Sequence, residues 1–139
     1  MAKARRVMYQ LVILSVIIAL GGCARVKEAT KCFMGTSTRC LEKGRKNAIV
    51  KTFNYDYFTT YTKALDTLKQ AGSYIYAQDI KKRMIAFYVS SEDTTPVGIF
   101  FSEIDANNTK IEISSPSTSA KEEMSKKVFF GLEANDAQK

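Results

Sequence analysis

One amphipathic helix, followed by four β-patterned runs and a second helix, constrains the fold of this 139-residue chain more than any other feature of its sequence. Between residues 56 and 71, Tyr57, Phe58, Tyr61, Ala64, Leu65, Leu68 and Ala71 recur three and four positions apart, with Thr59, Thr60, Lys63, Asp66, Thr67 and Gln70 on the other side. That spacing predicts a helix with one buried face. Asn54 or Asp56 can cap its start, and Gly72 is placed to end it in a left-handed turn. Residues 48–53 lean towards a strand, and 73–78, 84–91, 97–105 and 110–115 read as four more, with Ile111 and Ile113 alternating with Lys110, Glu112 and Ser114 in the last. A closing helix begins near 117–119. Ser119 and Glu122 have the spacing of a capping box, and Ala120, Met124, Val128, Gly131 and Leu132 recur at helical spacing. Phe129 and Phe130 diverge by about 100° on such a helix, so both cannot face one core. The order β-α-β-β-β-β-α predicts an α+β domain over 48–134, a single antiparallel sheet of five strands with two helices packed on one face. Short loops between consecutive strands make the sheet a meander, and a span of this size supports one core.

Upstream lies a segment of a different kind. Lys3, Arg5 and Arg6 precede an apolar stretch that ends at Leu20-Gly21-Gly22-Cys23. A basic start, a greasy centre and small residues before a cut site are the parts of an export signal. The stretch from Val7 to Leu20 is broken by Gln10 and is too short by roughly 10 Å to cross a bilayer core as a helix. An ordinary secretory signal has no need of a cysteine directly after Gly22. The four residues resemble the lipobox of bacterial lipoproteins. That resemblance implies that residues 1–22 are removed between Gly22 and Cys23, that the Cys23 thiol is diacylated, and that the protein sits in the cell envelope. Two or three acyl chains make release from the membrane negligible, at about 0.8 kcal/mol per buried methylene. Ala24 and Arg25 follow, with no Asp at the second mature position, which in a Gram-negative cell resembles the pattern for the outer membrane facing the periplasm.

Charge divides the mature chain unevenly. The formal net charge is +7 for the whole sequence. Residues 24–51 carry Arg25, Lys27, Lys31, Arg39, Lys43, Arg45, Lys46 and Lys51 against Glu28 and Glu42, whereas acidic groups slightly outnumber basic ones from Thr52 onward. Residues 23–47 therefore read as a basic, membrane-proximal tether, and 135–139 as a disordered tail. Such a segment beside an acyl anchor is suited to anionic head groups, which attract each Lys or Arg by up to about 1 kcal/mol near the surface. Arg25, Lys27, Lys31, Arg39, Lys43, Arg45 and Lys46 are the candidate contacts; a solvated linker is the alternative. An exported lipoprotein meets little nucleic acid, and none is expected as a partner. Within the tether, Cys32 and Cys40 form the even pair left once Cys23 is committed to lipid, in a compartment that permits disulfides. A bridge between them would stabilise by roughly 2.5 kcal/mol on the chain-entropy view. Two thiolates with no histidine fall short of a zinc site, and neither a metal nor a cofactor is expected.

Chemistry is sparse. Without histidine, the commonest general base and the Ser-His-Asp and Cys-His triads are missing. The acid pairs Asp56/Asp66 and Glu103/Asp105 read as solvated surface, Ser119 with Glu122 as a helix start, and no glycine-rich loop is present to cradle phosphate. The expectation is a non-catalytic protein. Tyr74, Tyr76, Tyr88, Phe100 and Ile104 exceed what one helix-covered face needs, so either they fill the core or they leave an aromatic sheet face for a partner.

The element order over 48–134 resembles the helix-grip, or TATA-binding-protein-like, topology of small envelope lipoprotein domains, including the repeated domain of an accessory lipoprotein in the outer-membrane barrel-assembly machine. The resemblance rests on order and strand patterning, and carries no binding residue with it. It implies an envelope protein that works by contact with another envelope protein, the alternative being a module that binds lipid or glycan.

Overall fold

The computed structural model describes residues 38–134. Its elements are α1 (Arg39–Gly44), a 3₁₀ turn (Arg45–Asn47), β1 (Ile49–Phe53), α2 (Tyr57–Gln70), β2 (Tyr74–Asp79), β3 (Met84–Tyr88), β4 (Pro96–Asp105), β5 (Asn108–Ser114) and α3 (Thr118–Ala134). The strands make one antiparallel sheet in the order β1-β5-β4-β3-β2, which is the α+β, single-sheet architecture read from the sequence. β2 to β5 form a meander, and β1 closes the sheet against β5 with Ile49 opposite Ile113 and Phe53 opposite Thr109. β1 and β2 are thus parallel strands on opposite edges, and α2 is the crossover between them.

The local chemistry explains each boundary. Asp56 caps α2 by accepting from the Thr59 backbone N–H at 2.9 Å and the Thr59 hydroxyl at 2.6 Å. At the other end Gly72 takes φ 73°, and the N–H groups of Gly72 and Ser73 donate to the carbonyls of Lys69 and Leu68, the paired bonds of a Schellman turn. Thr60 and Thr67, expected on the wet side, are buried. Their hydroxyls donate to the carbonyls of Asp56 and Lys63 four residues back, so each enters the core with its polar atom satisfied. Phe58, expected on the apolar face, is instead 74% exposed, one 100° step round from Tyr57, which packs against the core.

The main core lies under α2 and α3. Ile85, Phe87, Val97, Ile99, Phe101, Ile111 and Ile113 point to this face at the two-residue period of strands, and meet Ala64 and Leu68 of α2 and Met124, Val128 and Leu132 of α3. A Cβ at Gly131 of α3 would collide with the Thr67 side chain, so this is a close helix crossing that only glycine permits. Phe129 turns in, with its ring 5.6 Å from that of Phe53, and Phe130 is left 72% exposed. The start of α3 differs from the expectation. Ser117, rather than Ser119 with Glu122, is the capping residue, its hydroxyl accepting from the Ala120 N–H and its carbonyl from the Lys121 N–H.

Two corrections concern the region before β1. The fold does not begin at residue 48: α1 and the 3₁₀ turn, within the expected tether, are part of the folded body. Nor do all helices share one face, because α1 lies on the other. Leu41 is 1% exposed and packs with Met84, Ala86 and Phe100, whose side chains point away from α2 and α3. This is why Met84, Ile85, Ala86 and Phe87 are buried in an unbroken run: β3 is covered on both sides.

Candidate functional site

The second face of the sheet gathers most of the sequence-predicted residues that are described. α1 is seated there by close fit and by polar clamps. Gly98 makes room, since a Cβ at that position would stand 3.1 Å from Leu41 Cβ and 3.1 Å from Phe100 Cε2. The buried Ser114 hydroxyl donates to the Leu41 carbonyl at 2.9 Å, and a side chain at Gly44 would collide with that same hydroxyl. Arg45 Nε donates to Glu112 Oε2 at 2.6 Å while its guanidinium lies 4.7 Å from the centre of the Phe100 ring. Lys110 holds the other Glu112 oxygen at 2.8 Å, and Lys82 donates to Glu42 at 2.8 Å.

These contacts set the charges. Burial pushes the Glu112 carboxyl up, but the hydrogen bonds and positive charges of Arg45 and Lys110 outweigh it and hold the group below its ordinary value. The hydrogen bond to Glu42 raises Lys82 above its ordinary value. Arg45, expected among the membrane contacts, pairs with Glu112 while its side chain stays 40% exposed. Arg39, Lys43 and Lys46 are exposed on the outer side of the same short segment. Cys40 is disulfide-bonded. Its expected partner Cys32 lies outside the described residues, as do Gly22, Cys23, Arg25, Lys27, Lys31 and the segments 1–22 and 135–139.

Beside α1 the aromatic excess noted in the sequence resolves into two groups. Phe100 is buried. Tyr74, Tyr88 and Tyr76 form a stack near the β2 edge, with Tyr74 over Tyr88 at 6.1 Å and 14° and Tyr76 4.6 Å from Tyr88. Tyr74 is 56% exposed, and Ile104 and Val50 are exposed at other points of this face. The Tyr76 hydroxyl is buried without a hydrogen-bond partner, and burial, helped by Tyr88, pushes its pKa up to about 12. β2 bulges between Ile75 and Ala77, which lets Ile75 face the main core while Tyr76 and Ala77 pack on the second face.

The carboxylates considered for catalysis occupy structural posts. Asp56 caps α2, and hydrogen bonds from Thr59 lower its pKa. Asp105 accepts from the Asn107 N–H and the Asn108 side chain at the β4–β5 turn; Glu103 pairs with Arg83 at 3.2 Å; Asp66 lies 3.8 Å from Lys69. A depression of about 430 Å³ is lined by Glu92, Asp93, Thr94, Thr95, Pro96, Pro116 and Ser117. Its Asp93 carboxylate is bonded within its own loop to the Thr95 N–H and hydroxyl. Among the described residues no group of three metal-ligating side chains converges, and no helix is long and apolar enough to cross a membrane.

Sequence reasoning missed α1 as a packed element. Two signals pointed to it: the spacing of Leu41, Gly44 and Arg45, and Gly98 in mid-strand, where a missing side chain marks close approach by another segment. No family model matches the chain, and no curated protein matches it significantly.

Proposed function

We propose that this protein is a membrane-anchored lipoprotein of the bacterial envelope, non-catalytic, whose single α+β domain acts as a contact module for another envelope protein. The observation that carries the reading is the Leu20-Gly21-Gly22-Cys23 sequence ahead of a folded body in which Asp56, Asp105 and Glu103 are committed to a cap, a turn and an ion pair. The strand order is compatible with the helix-grip resemblance, and the exposed Tyr74 over Tyr88 at the β2 edge offers a rigid aromatic platform of the kind that protein contacts favour. A second reading, a module that binds lipid or glycan at the membrane surface, draws support from the outward charges of α1. Mass spectrometry of the chain from its native cells tests the anchor, with acylation at Cys23 expected; an unmodified thiol or a retained Met1 overturns it. A photo-crosslinking residue at Tyr74, compared with one at Lys69 on α2, tests the contact. One discrete protein adduct at position 74 and none at 69 is expected, and no adduct at 74 in intact envelopes sinks the partner-binding half.

A further inference from the structure

We infer that the partner binds by adding a strand to the β2 edge: an extended, uncharged segment of another envelope protein pairs its backbone with Tyr74–Asp79 and sets its side chains beside Tyr74 and Tyr76. The inference rests on the contact reading above and goes further by naming the form of the partner. β2 has one neighbour in the sheet, β3, and among the described residues no backbone group outside that pair bonds to the backbone of residues 74–79. Alternate residues of an antiparallel edge strand turn their N–H and C=O outward, so a row of donors and acceptors about 20 Å long is left open along these six residues. The complement of such a row is another extended backbone, which repeats donor and acceptor at the same interval. A sugar or a lipid head group carries no such repeat.

The two edges of the sheet differ in the way that matters here. β1 carries a charge in mid-strand, Lys51, which pairs with Glu133, and Lys121 donates to the Asn47 carbonyl at 2.7 Å, so α3 is fastened to that side at both ends. Charge on an edge strand is a guard against further pairing. β2 has neither charge nor proline from Tyr74 to Gln78, and Tyr74, Ile75 and Tyr76 favour extended chain. Its one guard is the bulge between Ile75 and Ala77, which shifts the register by a residue and leaves the backbone open on either side of it. On the second face Tyr74 lies nearly parallel over Tyr88 and is 56% exposed, which gives an incoming side chain an aromatic neighbour already held in place. The lack of charge on this strip selects a segment that is itself uncharged where it pairs. Residues 135–139 are not that segment. They follow α3 beside Lys51 at the opposite edge, four strand spacings or about 19 Å away, and five residues extend at most about 18 Å.

The test places a photo-crosslinking residue, in the full chain and in intact envelopes, at position 74, at Gln78 towards the other end of β2, or at Thr52 on β1; all three positions are exposed. The adducts are mapped by mass spectrometry. Adducts to one protein from both 74 and 78, with the two partner residues about three to five positions apart in a single segment, and none from 52, are the expected result. That spacing is the one-to-one register of paired strands, with a residue of tolerance for the bulge. Tyr74→Ala removes the ring and keeps the ladder, so at least about half of the adduct at 78 survives it. An adduct at 74 with none at 78, or partner sites scattered through distant parts of its sequence, overturns strand addition and leaves the contact reading standing. Loss of the adduct at 78 in Tyr74→Ala, with the circular dichroism of the domain unchanged, overturns it too, in favour of a contact made by the ring; if that variant unfolds, the spacing of the adducts decides. Adducts from 78 into the same chain or a second copy put the protein's own chain on the edge and overturn the outside partner strand. No adduct from either position removes the contact reading and the inference with it.

Discussion

The two faces of this sheet are held by different physics. Under α2 and α3, strand residues from β1, β3, β4 and β5 interdigitate with two full helices, and cohesion comes from apolar area removed from water. Under α1, a single leucine fills a pocket of Met84, Ala86 and Phe100, and the remaining hold is polar: a serine hydroxyl on a carbonyl, an arginine on a glutamate, a lysine on another. The first face sets whether the domain folds at all. The second opens at lower cost, because few apolar contacts and several partly exposed ion pairs oppose its separation.

The comparison can be broken or sharpened in five ways. Phe87→Ala, in the main core, removes about 3–5 kcal/mol from global stability. Urea denaturation should show a fall in midpoint at unchanged slope; a loss below about 1 kcal/mol would mean that this face is not the principal one. Leu41→Ala costs about 2–3 kcal/mol, but locally. Hydrogen exchange should quicken at residues 39–47 while the amides of α2 keep their protection, and a uniform increase would show that α1 unfolds only with the whole.

Acid sharpens the contrast. Because Glu112 is held below its ordinary value of 4.5 in the folded protein, its stabilising contribution is complete above that pH and is lost as pH falls through the depressed folded value. Protection at α1, taken relative to the intrinsic exchange rate at each pH, should therefore fall on acidification before that of the main core, and Glu112→Gln should flatten that dependence. Arg45→Ala at neutral pH costs about 1 kcal/mol, since its side chain is partly exposed. The smallest effect has the opposite sign: Tyr76→Phe deletes an orphaned buried hydroxyl and should raise stability by up to about 1 kcal/mol, readable as a higher Tm.

What was legible in the sequence follows the same division. Period and punctuation gave α2, all five strands and α3, because a helix or strand against a large core needs a repeating apolar face, and residues such as Ala64, Leu68, Ile111 and Ile113 announce it. α1 has no such repeat. In Arg39–Gly44 one large aliphatic residue does the packing, and whether Leu41 is buried depends on a glycine 57 positions later and on a serine 73 positions away. A charge-rich segment of that kind reads as solvated linker until its facing strand is known. The same limit applied to the candidate contacts, where Arg45 and Lys46 are neighbours in sequence yet one turns to Glu112 and the other to solvent. At Thr60 and Thr67 the misreading was of a different origin: a hydroxyl that bonds its own helix behaves as a small apolar group.

The position of β1 has a consequence for assembly. Among the described residues its one strand partner is β5, the last strand, and the serine that fastens α1 closes that same strand. Nothing at the amino-terminal edge can settle until almost the entire polypeptide has arrived. The native pairing of β1 therefore waits for the residues of β5, which places sheet closure among the late events of folding.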